Sequence, residues 1–305
     1  MKRGITFLGF LLSLSLMAAA CAPAAASTPT TTALTLKDGL GRTVTLGRPA
    51  KKIVSLAPSN TEILFAVGAS PDVIGRDEFS DYPAEAKSLQ SVGGSMGQYN
   101  LEEIAKLQPD LILAASLNTP EQIKAIEDLN LKVFVITNPT TFDELYANIQ
   151  TVGTLSGQPG QASQLVDTLK KRVQAVQAAA SQTTSQPKVF YELDATDPAK
   201  PWTAGPGSFI DTMIKMAGGA NVAASLKSDY AQISQEELIT ADPDVILLGD
   251  GAYGVSPAQV AGRPGWGSMA AVKNNQVLTF DDNLVSRPGP RLVDGLELVF
   301  KALHP

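Results

Sequence analysis

Short apolar runs alternate with amphipathic segments through most of the chain, which predicts strands that alternate with helices. Parallel strands covered by helices on both faces have this continuous apolar character, because neither face meets water. The pattern therefore predicts an α/β fold with mostly parallel sheets flanked by helices. The predicted buried strands are residues 53–56, 111–114, 133–136 and 245–248, and the predicted helices between the earlier strands are residues 101–107 and 120–129.

Local signals predict how the first elements begin. Residues 34–46 alternate apolar and polar positions around Asp38 and Gly39, which predicts a hairpin at the entry to the fold. Residues 59–62 read Ser-Asn-Thr-Glu and precede the apolar Ile63. This spacing is typical of a capping box, so we predict that a helix starts there.

The order of elements in the first half of the chain returns in the second half. Residues 101–104 and 109–113 align with residues 235–238 and 243–247 at an offset of 134, with six identical positions. These identities are two adjacent Glu residues, a Pro-Asp pair, and an Ile and a Leu of the following strand. We interpret the chain as two similar α/β lobes, over residues 34–157 and 187–305.

A long amphipathic segment separates the two halves. Leu165, Leu169, Val173 and Val176 fall on one face of a helix, and no Gly or Pro interrupts residues 161–180. The sequence therefore predicts that residues 158–186 contain a single helix that links the lobes and restricts their relative motion. The alternative is an ordinary surface helix of one large domain.

The amino-terminal residues have the layout of a secretory signal. Lys2 and Arg3 precede an apolar run over residues 5–17, which is shorter than the roughly 20 residues of a membrane span. Residues 18–20 are Ala and Cys21 follows, an order that resembles a bacterial lipoprotein signal over residues 1–20 with Cys21 as the lipid attachment point. Cleavage of a plain signal peptide is the alternative. Residues 21–33, rich in Ala, Pro, Ser and Thr, predict a flexible tether.

Composition removes several classes of function. Cys21 is the only cysteine and His304 the only histidine, which excludes an intrachain disulfide and argues against Cys-rich metal sites and a mid-chain Ser–His–Asp triad. The net charge of −6 argues against a broad basic surface for nucleic acid. Hydrophobic residues at 44% and charged residues at 18% are typical of a globular chain.

Sequence motifs of common catalysts and nucleotide binders are missing, apart from one. Residues 249–254 fit the G-x-G-x-x-G pattern of dinucleotide-binding proteins. Pro257 follows closely, so a helix would start too late to hold a pyrophosphate, and we interpret the segment as a loop at the rim of a site. An enzyme on this scaffold, such as a secreted hydrolase, would lack a recognisable nucleophile–base pair, so we predict no catalytic residues and no metal or cofactor.

Two equivalent acids stand out, because the repeat puts one in each half. Glu102 and Glu236 both lie just inside a predicted helix start, where the helix dipole favours negative charge. A purely structural role at the helix start is one interpretation. The other is that the two acids meet two equivalent basic sites on a partner with twofold symmetry, and the two interpretations are compatible.

Aromatic residues make up only 6% of the chain, and several lie in polar or Gly/Pro-rich loops. Loops at the carboxyl ends of strands build ligand sites in α/β folds, so these residues indicate a cleft with flat apolar walls, although local packing is the alternative for each. Arg287 could donate to a polar group of the ligand or form a salt bridge. The aromatic residues are Phe79, Tyr99, Trp202, Tyr230, Tyr253 and Trp266.

The chain from about residue 34 to its end resembles the substrate-binding proteins of ABC importers for vitamin B12, ferric siderophores and haem. The resemblance rests on residues 52–62 (KIVSLAPSNTE), 80–83 (SDYP), 100–104 (NLEEI) and 109–111 (PDL). It implies two Rossmann-like lobes joined by one helix, with a ligand between them. It also implies that Glu102 and Glu236 form salt bridges with arginines of a dimeric permease, which has its own ATPase.

Within this family the sequence is most similar to the vitamin B12 binders, which implies a ligand site and a preferred ligand. Met96 stands where such proteins often have Trp. Haem would need a tyrosine ligand, and the few basic loop residues, mainly Arg76, Arg263 and Arg287, argue against a strongly anionic siderophore. We therefore expect a monomeric corrinoid-binding lipoprotein at the outer face of the cell membrane, with a ferric siderophore as the alternative ligand. The implied ligand-binding residues are Pro58, Phe79, Met96, Tyr99, Trp202, Tyr230 and Arg287.

Overall fold

The computed structural model describes Met1, residues 33–94 and residues 97–305. Residues Ala33–Pro305 form one compact unit, which is described below. The predicted signal peptide, Cys21 with the tether as far as residue 32, and Met96 lie outside the described residues. Among the described helices, none is both long and apolar enough to cross a bilayer.

The N-terminal lobe is built on a parallel sheet. The predicted hairpin is confirmed, since β1 (Leu34–Lys37) and β2 (Thr43–Leu46) pair antiparallel. Each neighbouring pair in the main sheet is parallel, in the order β5-β4-β3-β6-β7. These strands are β3 (Ile53–Ser55), β4 (Val73–Arg76), β5 (Gln90–Ser91), β6 (Leu111–Ala115) and β7 (Val133–Ile136).

Helices cross over between these strands, as parallel pairing requires. Thr119 and Thr141 cap the third and fourth helices through hydrogen bonds from backbone N–H groups to their side chains. The fourth helix ends at Gly157, whose φ of 76° is readily adopted only by glycine. The helices are α1 (Pro58–Ala66), α2 (Leu101–Leu107), α3 (Pro120–Glu127) and α4 (Phe142–Ser156).

The predicted capping box at residues 59–62 is wrong. The helix α1 begins at Pro58, whose fixed φ suits the first helical position, and its N-cap Ala57 makes no side-chain cap hydrogen bond. The polar residues therefore lie inside the helix and bind elsewhere. Asn60 Nδ2 donates to the Ala114 carbonyl at 3.0 Å, and Glu62 binds the other lobe, as described below.

One helix, α5 (Pro159–Ala180), leads from the N-terminal lobe to the C-terminal lobe. The predicted apolar stripe is confirmed, because Leu169, Val173 and Val176 are buried and Leu165 packs against the core. On its polar side, Arg172 Nη2 donates to Asp294 and Glu297 near the end of the chain, at 2.6 Å in each case. The helix is therefore held by contacts to both lobes.

The C-terminal lobe repeats the parallel core and adds antiparallel strands at one edge. Its sheet has the order β11-β9-β8-β12-β13, with β10 parallel to β8. The pairs of β12 with β8 and with β13 are parallel, whereas β9 pairs antiparallel with both β8 and β11. The strands are β8 (Lys188–Asp194), β9 (Trp202–Ala204), β10 (Ala220–Asn221), β11 (Tyr230–Gln232), β12 (Val245–Leu248) and β13 (Val277–Thr279).

The helices of this lobe are mostly short, and three of the first four begin at a serine cap. Ser208, Ser234 and Ser256 each accept a hydrogen bond from a backbone N–H three residues further on. The last helix carries a buried apolar face against α5. The helices are α6 (Phe209–Met216), α7 (Gln235–Ala241), α8 (Pro257–Ala261), α9 (Ala270–Lys273), α10 (Asn283–Ser286) and α11 (Leu292–Leu303).

The internal repeat has an atomic counterpart in each lobe. Asp110 Oδ2 accepts the Lys51 backbone N–H at 2.9 Å before β6, and Asp244 Oδ2 accepts the Lys188 backbone N–H at 2.7 Å before β12. The preceding helices α2 and α7 both end at a residue with φ of 49°. The repeated Pro-Asp pair therefore marks the same helix-to-strand turn in both lobes.

Candidate functional site

The loops that follow the parallel strands form the facing edges of the two lobes. In open α/β sheets, ligands bind beyond the carboxyl ends of the strands. Asp81, which follows β4, forms a salt bridge with Arg287, which follows β13. Glu62, near the start of α1, forms another with Arg291 at the start of α11. We take the region around these two ion pairs, where the strand-end loops of the two sheets meet, as the candidate binding site and call it the cleft below.

The pair of Glu62 and Arg291 is the better-buried connection across the cleft. The Arg291 guanidinium donates from Nε at 2.9 Å and from Nη2 at 2.5 Å to the two carboxylate oxygens. It also lies over the Tyr82 ring, 3.8 Å from the centroid. Burial raises the pKa of Glu62, although the bonds from Arg291 act in the opposite direction. The sequence signal at Glu62 was misleading, because its partner lies 229 positions away.

Arg287, a predicted ligand residue, lies at the cleft with a side chain that is 20% exposed. Its Nη1 donates to Asp81, a residue of the SDYP motif. Partial burial acts to raise the pKa of Asp81, but the hydrogen bond and charge of Arg287 lower it overall. Arg287 therefore has an internal partner and could bind a ligand only through its remaining donors.

Three predicted aromatic residues expose large parts of their rings. Phe79 follows β4 and is 55% exposed, while Trp202 on β9 and Tyr230 on β11 are 44% and 49% exposed. Tyr230 pairs with Ala204, two residues beyond Trp202, so the two aromatic side chains lie on one face of this ribbon as diagonal neighbours. Burial and the nearby charges of Asp229 and Asp282 raise the pKa of Tyr230.

Tyr99 and Pro58 belong to the wall of the N-terminal lobe. The Tyr99 hydroxyl donates to the Leu56 carbonyl at 3.1 Å and accepts from Asn118 Nδ2 at 2.6 Å. Burial raises the pKa of Tyr99 to about 12, so the hydroxyl stays protonated at neutral pH. Pro58 is half-buried at the start of α1, two residues after Leu56. Met96, also predicted here, lies outside the described residues.

A buried charged cluster in the C-terminal lobe has no counterpart among the predicted site residues. Glu192 on β8 accepts two hydrogen bonds from Arg263, at 2.5 and 2.9 Å. The Arg263 guanidinium also lies over the Trp266 ring, 4.5 Å from the centroid, and Asp250 lies buried beside Glu192. Burial raises the pKa of both carboxyl groups. Apart from the glycine pattern around Asp250, the sequence carried no signal for this cluster.

The segment that fits G-x-G-x-x-G forms a short 3₁₀ turn, Gly249–Tyr253, and not the start of a long helix. Gly254 ends the turn with φ of 95°, and α8 begins only at Pro257. The N-terminal geometry that holds a pyrophosphate is therefore missing at this turn. Tyr253 projects from it and is 87% exposed, as the prediction of a rim loop implied.

Glu102 and Glu236 lie in the first turns of α2 and α7, and both are exposed. Their neighbours serve the helices themselves: Glu103 pairs with Lys106, and Glu237 forms a capping box with Ser234. Within the described part of the chain, neither Glu102 nor Glu236 forms a salt bridge. One acid per lobe is thus open to a partner.

The described residues contain no cluster of three or more His, Cys, Asp and Glu side chains that could hold a metal ion. The site geometry is instead that of a binding cleft between two α/β lobes joined by a helix. The match to known proteins agrees with this class, since residues 53–284 fit the family described as "Periplasmic binding protein". The chain therefore belongs to the periplasmic binding protein family.

Individual relatives and structures place it among binding proteins for small molecules. It is 31% identical, over 89% of this chain and 86% of the relative, to an uncharacterized ABC transporter substrate-binding lipoprotein of Bacillus subtilis. It is 29% identical to a cobalamin-binding protein of Halobacterium salinarum, over 89% and 74% of the two chains. A haem-binding protein structure from Roseiflexus is similar with a TM-score of 0.74, 28% identity and coverage of 84% and 98%. The chain is a substrate-binding protein and not an enzyme.

Proposed function

We propose that the protein captures a corrinoid, a ligand like vitamin B12, in the cleft and delivers it to the permease and ATPase of an ABC importer. The observation that carries this proposal is the group of half-exposed aromatic rings of Phe79, Trp202 and Tyr230. A corrinoid presents a broad, largely apolar face, and its burial against such rings removes apolar surface from water. The cobalamin-binding relative supports the same ligand class.

The arginines near the cleft support a ligand with little negative charge. Arg76 donates to backbone carbonyls of residues 77, 78 and 86, Arg263 to Glu192, Arg287 to Asp81 and Arg291 to Glu62. Each guanidinium thus has an internal partner. A catecholate ferric siderophore would need several uncompensated cations. A siderophore of lower charge remains the second candidate, and haem would need a tyrosine ligand.

Delivery requires a docking surface, and we assign it to Glu102 and Glu236. The two acids are exposed, unpaired within the described residues and equivalent in the repeat. A dimeric permease with one basic site per subunit would match this arrangement, with the binding protein acting as a monomer. The charged contact would guide docking and leave the cleft itself unchanged.

The proposed location is the outer face of the cell membrane, with a lipid on Cys21 as the anchor. The signal pattern before Cys21 and the Ala/Pro/Ser/Thr-rich segment after it support an anchored, tethered domain. The Bacillus subtilis relative is itself named a lipoprotein. A tether would let the cleft face solvent while the domain stays near the permease.

Titration of the purified chain with cyanocobalamin tests the ligand assignment. We expect saturable binding with one ligand per chain at micromolar concentration or below, followed by calorimetry. Haemin and a neutral hydroxamate ferric siderophore serve as comparison ligands. Absence of cyanocobalamin binding, together with tight binding of the siderophore, would replace the corrinoid by the second candidate.

A further inference from the structure

A second recess lies in the C-terminal lobe, at the carboxyl ends of β8 and β12. It has a volume of about 380 Å³ and is lined by residues 193–196 and by Asp250, Tyr253 and Val255. Among these residues only Tyr253 belongs to the loop aromatic residues predicted from the sequence, and Asp250 has no predicted ligand role. The recess lies at the carboxyl ends of these strands, the edge of the sheet at which ligands bind in α/β folds.

The unusual feature of this recess is the carboxyl group of Asp250. The residue is only 4% exposed, and within the described residues its Oδ1 has no hydrogen-bond partner. Buried carboxylate oxygens are normally paired, because desolvation without a hydrogen bond is costly. Asp250 lines the recess, and a rotation of its side chain would present this buried, unpartnered oxygen to a ligand donor.

The Asp250 carboxyl group interacts with the Ala195 backbone and the Glu192 carboxyl group, and Arg263 donates no hydrogen bond to its Oδ1. Arg263 donates from both Nη atoms to Glu192, at 2.5 and 2.9 Å, and its flat face lies over Trp266. The Arg263 guanidinium thus pairs with Glu192 and acts on Asp250 only as a nearby positive charge. Asp194 adds a third, exposed acid to the recess, and hydrogen bonds from Thr196 lower its pKa. The wall is acidic, with acceptors that repel a ligand carboxylate and attract an N–H donor.

We propose that Asp250 is a specificity-determining residue that accepts a hydrogen bond from an uncharged N–H group of the ligand and excludes ligands with a carboxylate there. The inference rests on the proposed corrinoid function, because corrinoids of the vitamin B12 type carry primary carboxamides around their ring. Glu192 and Arg263 are positioning residues, which hold the buried acid cluster in place behind Asp250. A metal in the recess has no support, since the described residues form no metal-binding cluster.

The test uses cyanocobalamin and its separated monocarboxylic acids, in each of which one peripheral carboxamide is hydrolysed to a carboxylate. The unchanged chain should bind at least one of these acids about tenfold or more weakly than cyanocobalamin, the equivalent of roughly 1.4 kcal/mol. Asp250→Asn should reduce this ratio at least threefold, because an amide can donate to a carboxylate as well as accept from an amide. Asp167→Asn, an exposed change of the same charge on α5, should leave the ratio unchanged.

The outcomes distinguish a failure of the Asp250 role from a failure of the proposed corrinoid function. Equal binding of cyanocobalamin and all the acids by the unchanged chain would overturn the role of Asp250, whether or not the variant folds. The role of Asp250 would also be overturned if a folded Asp250→Asn protein bound cyanocobalamin and the acid with the same ratio of affinities as the unchanged chain. If the unchanged chain binds no corrinoid, the proposed function fails, and the carboxamide assignment fails with it. A reduced ratio in Asp250→Asn alone supports the inference.

Discussion

Arg291 joins the two lobes by donating two hydrogen bonds, at 2.9 and 2.5 Å, to the carboxylate of Glu62. The Glu62 side chain is 2% exposed and that of Arg291 is 14% exposed. A bidentate pair of this kind keeps a buried negative charge compensated, and it fixes the start of α11 against α1. The connection lies at the cleft, so it acts on the same edge of the molecule that would hold the ligand.

Arg291→Met should destabilise the protein, because it leaves the Glu62 carboxylate buried and unpaired. We expect the free energy of unfolding to fall by about 3–5 kcal/mol, measured by urea denaturation. The matched control is Arg172→Met, whose partners Asp294 and Glu297 are 42% and 41% exposed. That loss should be about 1 kcal/mol or less. Equal losses in the two variants would show that the Glu62 pair has no special role.

Asp250 should lower the stability of the folded protein as pH rises, whereas a paired surface acid raises it. Burial raises its pKa above the ordinary value of 3.8, so the folded protein binds its proton more tightly than the unfolded chain. As pH rises above about 3.8, ionisation of Asp250 therefore reduces wild-type stability. The stability of Asp250→Asn relative to wild type should increase between about pH 4 and pH 7, in denaturant titrations at each pH.

Asp194→Asn is the control for this pH effect. Hydrogen bonds from Thr196 lower the pKa of Asp194, so its ionised form stabilises the folded state above the ordinary pKa and this benefit disappears as pH falls. The variant should lose stability relative to wild type at neutral pH, by a small amount because the group is exposed. A change of the same sign in both variants would contradict the assignment of burial as the dominant cause at Asp250.

Trp202 and Tyr230 should contribute to ligand affinity but little to stability, because both rings are about half exposed at 44% and 49%. Trp202→Ala and Tyr230→Ala should each weaken cyanocobalamin binding by roughly tenfold, about 1.4 kcal/mol, in calorimetric titrations. Leu129→Ala is the control, since Leu129 is 39% exposed but precedes the amino end of β7, on the opposite edge of the sheet. Full affinity in both aromatic variants would remove this face from the site.

The sequence predicts the fold well where the signal is local or repeated. Continuous apolar runs identify β6, β7 and β12, and the repeated Pro-Asp pair identifies equivalent turns in both lobes, because each pattern reflects burial or a short-range hydrogen bond. The charged pairs of the site join residues that are far apart in the sequence, so no local pattern predicts them. Glu192 and Arg263 are 71 positions apart, so only the folded chain reveals their contact.

The local pattern at Glu62 is misleading because its role also depends on a partner far away in the sequence. A Glu three residues after a Ser matches a capping box, but Pro58 starts the helix earlier and moves Glu62 into its interior. The predicted ligand residues follow from residue type and loop position, which the sequence does convey. Whether an arginine such as Arg287 already has a partner is a tertiary property, and the sequence left both alternatives open.

Cys21→Ser should abolish lipid attachment if Cys21 is the anchor. Cells that express the chain with radiolabelled palmitate should incorporate label into the wild type and none into the variant, because Cys21 is the only thiol in the chain. The variant should also move from the membrane fraction to the soluble fraction. Ser27→Ala, within the same tether, is the control and should keep both label and membrane association. Unlabelled wild type would favour a plain signal peptide.

Glu102→Lys combined with Glu236→Lys should abolish ligand uptake while leaving ligand affinity intact. Both acids are exposed and unpaired in the described residues, so the reversal should neither unfold the protein nor reach the cleft. It should instead place like charges opposite a basic docking surface, which opposes association. Glu121→Lys, in the exposed first turn of α3, is the control and should keep uptake. Uptake by the double variant in transport assays would refute the docking role, whereas loss of cyanocobalamin affinity would indicate that the two acids act on the cleft instead.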